Sequence, residues 1–176
     1  YAQVEKDFKE HPIGHEAKLR IAKISYFQGD FQWAQAQLST LKASTSKLIA
    51  NDAMQLSLLI TDNYNLDTTE IAMRIFANAD LLNYQQKYDE AILKYDSVLV
   101  VFPGHSLSDE IYMRKAAIYL NNGNIKDALD NYQKIEADWN YDILADDAIY
   151  KQAKIYDDIL KNSKLAMKFY EQILLV

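Results

Sequence analysis

Apolar side chains recur every three or four residues along almost the whole chain, which is the spacing of one face of an α-helix. Ile111, Lys115, Ile118 and Tyr119 fall at three- and four-residue steps, as do Leu129, Tyr132 and Ile135. The alternation that marks a β-strand is absent over any useful length. Only four glycines and two prolines occur in 176 residues. The pattern predicts an all-α protein.

Turn residues divide the pattern into helices. Gly29-Asp30, Lys87-Tyr88-Asp89 and Gly123-Asn124 predict tight turns. The predicted helical pairs are 15–28 with 31–42, 69–86 with 89–101, 107–121 with 125–137, and 143–159 with 163–175. Another helix is predicted at 46–63, and residues 1–10 read as the second helix of an earlier unit. Thr68 or Thr69 is a candidate N-cap, and Ser106 with Asp109 resembles a capping box.

The predicted pairs share one repeated spacing. An alanine in the first helix is followed 12 or 13 residues later by a second alanine, and four residues after that by a large side chain. The four sets are Ala22, Ala34, Leu38; Ala79, Ala91, Tyr95; Ala116, Ala128, Tyr132; and Ala153, Ala166, Tyr170. Repetition at this scale predicts an array of stacked helical hairpins. Because two helices approach closely only at small side chains, we expect the alanines to lie at helix contacts.

The intervals between repeats are unequal. The first alanines of successive sets are 57, 37 and 37 residues apart, and the excess of 20 residues is the length of one helix and its turn. The fourth set has one extra residue, which we expect in its turn. The predicted units are a truncated repeat at 1–12, repeats at 13–42, 68–103, 104–138 and 139–176, and an inserted helix with loops at 43–67.

These positions resemble the tetratricopeptide repeat, whose first helix carries an aromatic and a small residue and whose second carries alanine and an aromatic. The third unit shows Tyr112, Lys115-Ala116, Tyr119, Ala128 and Tyr132. The second and fourth units follow the same pattern, and the first follows it least well. The resemblance implies an α-solenoid of TPR-like hairpins that binds a protein or peptide in its concave groove. The Lys/Asn/Arg arrangement that clamps a C-terminal carboxylate in some members is missing.

In that family the groove is lined by the outward faces of the first helices. Carried over, these positions are Leu19, Lys23, Tyr26, Phe27, Met73, Phe76, Asp80, Tyr84, Met113, Ala117, Asn121, Tyr150, Lys154 and Asp157. Aromatic and methionine side chains at such positions suit the anchoring of a peptide. The alternative is that the inserted helix 46–63, or a neighbouring repeat, covers them.

A narrower likeness concerns bacterial envelope repeat lipoproteins. It rests on the linker Phe102-Pro103-Gly104-His105 before a predicted helix, on the related run Trp139-Asn140-Tyr141-Asp142, and on the 37-residue period. It suggests a bacterial protein and favours the periplasm over the cytoplasm. Because the chain opens at Tyr1 and closes on the apolar run Ile173 to Val176, we expect a fragment of a longer protein.

Composition narrows the classes of function. The net charge is −6 and no block of Lys and Arg stands out, which disfavours nucleic acid as a partner. The longest strongly apolar run, Val98 to Phe102, is far shorter than the ~20 residues of a membrane span. There is no cysteine, and no sequence motif for a nucleophile, a phosphate loop or a dinucleotide site occurs. We therefore expect no enzyme activity and no cofactor.

Histidine and aspartate are the remaining candidates for chemistry. His11 and His15 flank Pro12 and Gly14, so we expect surface loop histidines rather than a metal pair. Aspartates crowd from Asp138 to Asp147 and again at Asp157 and Asp158, where a metal or acid/base site is one interpretation. We instead expect Asp146 and Asp147, like Asp109 and Glu110 one period earlier, to complement the dipoles of predicted helix starts. Two other interpretations stay open: a structural spacer that self-associates through its exposed repeat ends, and the helical part of an enzyme whose active site lies elsewhere.

Overall fold

The computed structural model describes residues 1–41, 46–64 and 70–174, and within these ranges the regular structure is entirely helical. The helices are α1 (Ala2–Asp7), α2 (Pro12–Phe27), α3 (Phe31–Leu41), α4 (Lys47–Tyr64), α5 (Ile71–Tyr84), α6 (Tyr88–Val101), α7 (Ser108–Asn121), α8 (Ile125–Asp138), α9 (Ile143–Lys154) and α10 (Ser163–Leu174). A π-helical turn, Ile155–Ile159, follows α9 directly. The all-α fold predicted from the sequence is confirmed.

The chain divides into two compact units, Tyr1–Lys94 and Tyr95–Val176. In the first unit, α2 packs against α1, α3, α4 and α5, and α3 packs against α4. In the second unit, α7 pairs with α8, α9 packs on both, and α10 pairs with α9. Within each unit, helices that follow one another along the chain therefore pack against each other.

All eight alanines of the repeated spacing are buried, with at most 2% of their surface exposed. The large side chains that follow them, Leu38, Tyr95 and Tyr132, are buried as well, and Tyr170 is half-buried. A small side chain lets two helix axes come close, and the large residue four positions later fills the space beside the crossing. The burial of all eight alanines supports their predicted place at helix contacts.

Each first helix ends in the same backbone conformation. The residue five positions before the second alanine has a positive φ in all four repeats: Gly29 (77°), Gln86 (61°), Gly123 (74°) and Lys161 (52°). Glycine adopts this left-handed conformation at no steric cost. Residues with a Cβ, such as Gln86 and Lys161, adopt it with steric strain. The tight turns predicted at Gly29 and Gly123 thus have a direct backbone cause.

The extra residue of the fourth repeat lies in a helix and not in the turn, which corrects our expectation. Eight residues separate Ala153 from Lys161, against seven between Ala116 and Gly123, whereas the spacing from the left-handed residue to the second alanine is unchanged. The π-helical turn absorbs the additional residue, with the Leu160 N–H donating to the Ile155 carbonyl at 3.0 Å. A π-turn is a one-residue expansion of an α-helix, so it accommodates an insertion without breaking the helix.

Helix α2 begins earlier than predicted, because Pro12 occupies its first turn. Proline suits that position, since the first helical N–H groups have no partner inside the helix. His11 is the N-cap, and His15 lies within the helix, half-buried, so the prediction that His15 is a loop residue is wrong. Gly14 is needed there, because a Cβ would collide with the carbonyl oxygen of Phe8.

Two helix starts share one corner motif. Phe8 lies three residues before His11, and Phe102 lies three residues before His105, with ring centroids 6.2 Å and 6.3 Å apart in edge-to-face geometry. Each imidazole Nδ1 accepts a hydrogen bond from the backbone N–H two residues later, at 3.3 Å and 3.0 Å. The backbone N–H of each histidine donates to the carbonyl oxygen of the phenylalanine three residues earlier. His11 is therefore the N-cap of α2, and His105 orders the turn that leads into α7.

Trp139 and Asp142 form the equivalent corner 37 residues after Phe102, and the Asp142 carboxylate accepts from the Leu144 N–H at 3.1 Å. The capping box predicted at Ser106 and Asp109 is wrong, because the N-cap of α7 is Leu107 and this helix start has no side-chain cap hydrogen bond. The Asp109 carboxylate accepts from the next backbone N–H at 2.7 Å. The predicted N-caps Thr68 and Thr69 lie outside the described residues.

Polar contacts join neighbouring helices within each unit. In the first unit, Gln35 of α3 donates to the Ser57 carbonyl and to the Thr61 hydroxyl of α4, at 2.8 Å and 2.7 Å. In the second, Lys115 of α7 donates to Asp96 of α6 at 2.5 Å, and Gln152 of α9 donates to Glu136 of α8 at 3.0 Å. Lys115 and Gln152 both directly precede the first alanine of their repeat. That position therefore reaches back to the second helix of the preceding hairpin.

Candidate protein-binding surface

Four of the residues predicted to line a groove are buried: Leu19, Tyr26, Met73 and Phe76. These four side chains belong to the hydrophobic core, so they are not part of an open surface in this conformation. Tyr26 also has a structural hydrogen bond, since its hydroxyl donates to Asp80 of α5 at 2.7 Å. Helical periodicity places these residues on the first helices correctly, but on the face that meets neighbouring helices.

The position three residues before the first alanine shows the effect of packing most clearly. Its occupants are Leu19, Phe76, Met113 and Tyr150 in the four repeats. The first two are fully buried, Met113 is half-buried against the core around Tyr132, and Tyr150 is 46% exposed. This position is therefore buried in the first two repeats, half-buried in the third and accessible in the fourth.

A different pair of positions, one and five residues after the first alanine, remains accessible in every repeat. The two are four residues apart and so lie on one face of the helix. Their occupants are Lys23 and Phe27, Asp80 and Tyr84, Ala117 and Asn121, and Lys154 and Asp158, each half-buried or exposed. Seven of these eight residues were named from the sequence as groove residues, and Asp158 was not. Its spacing of four residues from Lys154 was the signal that could have found it.

In the first unit the residues at these positions are what we call the aromatic surface: Lys23, Phe27, Asp80 and Tyr84. The rings of Phe27 and Tyr84 contact each other across α2 and α5, with centroids 5.8 Å apart. Tyr84 is 67% exposed, and Phe27 is half-buried beneath it. The Asp80 carboxylate is held by the Tyr26 hydroxyl. An exposed aromatic ring is thus supported by a packed one and flanked by two charges of opposite sign.

The inserted helix α4 borders the aromatic surface. Its Asp52 pairs with Lys23 at 3.7 Å, and both side chains keep about two-fifths of their surface exposed. The hydrogen bonds of Gln35 hold α4 against α3 on the far side. α4 therefore contacts the surface at Lys23 and leaves the Tyr84 ring accessible.

In the second unit the same positions form what we call the polar surface: Ala117, Asn121, Lys154 and Asp158. Lys154 and Asp158 pair with each other at 2.5 Å along α9 and the π-turn. Their hydrogen bond lowers the pKa of Asp158 and raises the pKa of Lys154. Ala117 and Asn121 on α7 present no large apolar group, and the predicted neighbour Asp157 is half-buried. This surface offers a partner a closed ion pair and no aromatic anchor.

A cleft of about 350 Å³ opens between the end of α2 and the start of α5. Its charged groups are already engaged: Arg74 pairs with Glu70 at 2.6 Å and lies over the Phe31 ring, and Asp30 accepts from the Trp33 N–H. Within the residues that the structure describes, no group of three or more histidines and carboxylates could hold a metal ion. Nor is any helix in this part of the chain long and apolar enough to span a membrane.

The repeated hairpins are matched by a known family. The family model described as "Tetratricopeptide repeat protein 21 ARM repeat" matches residues 8–173. The chain belongs to this ARM-repeat family. The match covers every helix from α2 to α9 and most of α10, so the ARM-repeat assignment applies to both units. No curated protein and no solved structure matches the chain significantly.

The ARM-repeat match bears on the predicted resemblance in two ways. It confirms a TPR-like helical repeat, because the family is itself a repeat domain of a tetratricopeptide repeat protein. It gives no support to the narrower likeness to bacterial envelope lipoproteins.

Proposed function

We propose that the chain is a non-catalytic protein-interaction or scaffolding module that binds a peptide or protein segment through the aromatic surface. The observation that carries this proposal is the pair formed by Phe27 and Tyr84, in which an exposed tyrosine ring rests on a half-buried phenylalanine. Rigid aromatic side chains supply large contact areas at a low cost in conformational entropy, and they dominate measured binding energies.

The chemistry of the aromatic surface indicates the kind of segment that fits. The rings favour an apolar or aromatic side chain of the partner, and Lys23 and Asp80 offer opposite charges about one helical turn before Phe27 and Tyr84. Charged groups at the rim of an apolar contact set orientation and association rate more than affinity. The proposed partner is therefore an extended or helical segment with at least one large apolar residue.

Capture from a native extract tests this function. Tyr84→Ser removes the most exposed ring of the aromatic surface, and Tyr141→Ser removes a ring that is 84% exposed in the second unit. We expect wild type and Tyr141→Ser to retain the same bound protein, identified by mass spectrometry, and Tyr84→Ser to lose it. Equal capture by all three proteins would exclude the aromatic surface as the binding site.

A structural spacer that self-associates through a repeat end is the second candidate. It is favoured by the exposed apolar residues of α10, among them Met167 and Leu174. Sedimentation equilibrium of the chain alone distinguishes the two: a concentration-dependent dimer supports self-association, and a monomer at all concentrations supports the interaction module.

A further inference from the structure

The turn between α7 and α8 repeats the backbone of the turn between α2 and α3. Asn122 and Gln28 are the C-cap residues, with φ and ψ of −86° and 5° after α7 and of −79° and −8° after α2. Each is followed by a glycine with a positive φ, Gly123 or Gly29. In both turns the glycine N–H donates to the carbonyl three residues earlier, at 3.0 Å and 2.9 Å, and the next N–H donates to the carbonyl five residues earlier, at 2.8 Å and 2.9 Å. The two turns therefore differ in their side chains and not in their backbone.

The surroundings of the two turns also differ. Gly29 is buried, and a Cβ at this position would lie 2.3 Å from Nη1 of Arg74, so the arginine covers that turn. At Gly123, no atom of the described chain beyond its immediate neighbours lies within 4 Å of the same point, and both Asn122 and Gly123 are exposed. A turn with few contacts and solvent-exposed backbone hydrogen bonds opens at a small cost in free energy. The turn at Asn122 is thus the more open of the two.

An asparagine that precedes a glycine can react with its own backbone. The Gly123 nitrogen attacks Cγ of Asn122, a new C–N bond closes a five-membered succinimide ring, and the Cγ–Nδ2 bond breaks. Ammonia leaves with the proton of the Gly123 N–H. Solvent water then opens the ring at either carbonyl carbon, which gives aspartate or isoaspartate. Glycine favours the attack because it has no side chain to obstruct the nitrogen.

Side-chain hydrogen bonds distinguish Asn122 from the asparagines of neighbouring turns. The Asn124 Oδ1 accepts from the Asp127 N–H at 3.3 Å, and the Asn162 Oδ1 accepts from the Leu165 N–H at 3.2 Å, so each of these amides is held at a helix start. The Asn122 amide has no hydrogen bond to any residue in the described part of the chain, and Asn122 alone of the three precedes a glycine. Its side chain can therefore turn towards the following nitrogen.

We propose that the Asn122-Gly123 turn is a site of spontaneous deamidation, at which the asparagine converts to aspartate and isoaspartate while the Gln28-Gly29 turn stays intact. Glutamine must close a six-membered ring to react in the same way, and that ring forms far less readily. The reaction proceeds when the turn opens, because the Gly123 N–H donates to the Leu120 carbonyl in the closed turn. This site is independent of the aromatic surface.

Deamidation changes the end of α7. Aspartate places a negative charge at the C-terminus of a helix, where the helix dipole opposes it. Isoaspartate carries the backbone through its side chain and lengthens it by one carbon, so the hydrogen bonds from the Gly123 and Asn124 N–H groups cannot both keep their geometry. The products therefore loosen the turn that joins α7 to α8.

Peptide mapping of the aged full chain tests the proposal. Trypsin cleaves after Lys115 and Lys126 and so releases the turn in one peptide, in which fragmentation by mass spectrometry identifies the modified residue. We expect aspartate and isoaspartate to accumulate at position 122, and faster in mildly alkaline than in mildly acidic buffer, because the attacking nitrogen must lose its proton. Asn122→Gln should lose these products, since it installs the residue of the first turn. Circular dichroism checks that this variant is folded.

Gln28→Asn is the matched variant, because it creates the same residue pair in a turn of the same backbone that Arg74 covers. It should form the products more slowly at position 28 than Asn122 forms them in the same chain. Absence of products at position 122 in the wild-type chain would overturn the proposal. So would modification of Asn124 at the same rate as Asn122, or equal rates at positions 28 and 122.

Discussion

The aromatic surface of the first unit and the polar surface of the second occupy the same helix positions yet offer different chemistry. Phe27 and Tyr84 stand where Asn121 and Asp158 stand in the later repeats. The alanines behind them are buried in both units, because helices can approach only where side chains are small. Outward positions carry no such constraint. The comparison teaches that packing fixes the inner positions of a repeat, whereas the outer positions are where recognition can differ.

The strongest test of this comparison uses one position that is buried in one unit and accessible in the other. Phe76→Ala should lower the free energy of unfolding by about 3–5 kcal/mol, because a fully buried ring leaves a cavity. Tyr150→Ala, at the equivalent position of the fourth repeat, should cost less than about 1 kcal/mol. Urea unfolding followed by circular dichroism measures both. Similar losses of stability in the two variants would mean that the Tyr150 side chain is as deeply buried as that of Phe76.

A smaller effect is expected at the left-handed residues that end the first helices. Gly123→Ala should lower the free energy of unfolding by about 1 kcal/mol, because alanine is strained at a φ of 74°. Gln86→Gly should raise it by up to about 0.5 kcal/mol, as relief of strain outweighs the greater entropy of the unfolded chain.

The neighbouring Gln85 supplies the control for that pair, since its φ is −80°. Gln85→Gly has no strain to relieve and should therefore destabilise the protein. Stabilisation by glycine at both Gln85 and Gln86 would point to a general effect of glycine and not to the left-handed backbone. Thermal unfolding of the three variants separates these outcomes.

The smallest expected effect is on the pH dependence of stability, through Asp109, a buried aspartate in the first turn of α7. Burial raises the pKa of this carboxyl group, despite the hydrogen bond from the Glu110 N–H, and the charge of Asp142 adds to the increase. A raised pKa in the folded state means that the stabilising contribution is present at low pH and is lost as the pH rises through that pKa. Asp109→Asn should therefore gain stability relative to wild type as the pH rises from about 3 to about 7.

Asp146→Asn is the matched variant, because Asp146 lies 37 residues later in the first turn of α9 and is exposed. Urea unfolding at several pH values measures how the free energy of unfolding depends on pH. We expect that dependence to change in Asp109→Asn and not in Asp146→Asn. The same slope in both variants would argue that burial is not the cause.

The fold was predictable from the sequence because its main determinants are local or periodic. The sequence itself shows the alanine spacing and the glycines at positions 29 and 123. The 20 extra residues between the first two repeats predicted α4 to within one residue at each end. The proposed binding surface was only partly predictable. A helix with apolar residues on two faces does not reveal which face meets a neighbour, so Phe76 and Tyr84 appeared equivalent although one is buried and the other exposed.

Two local features became clear only from the structure. The position of the extra residue in the π-turn depends on backbone hydrogen bonds, and a sequence alignment alone places it equally well in the turn. The histidine corners depend on an imidazole nitrogen that accepts a backbone N–H two residues later, a role at helix starts more usual for the side-chain oxygens of Ser, Thr, Asp and Asn. Comparison of Phe8-x-x-His11 with Phe102-x-x-His105 was the available signal.

The most direct test of recognition at the aromatic surface is amide hydrogen exchange of the chain with and without its captured partner. The account predicts that binding slows exchange in the segments around Lys23 to Phe27 and around Asp80 to Tyr84, and leaves the segments around Ala117 to Asn121 and Lys154 to Asp158 unchanged. Protection confined to the polar surface, or absent from the aromatic one, would contradict it.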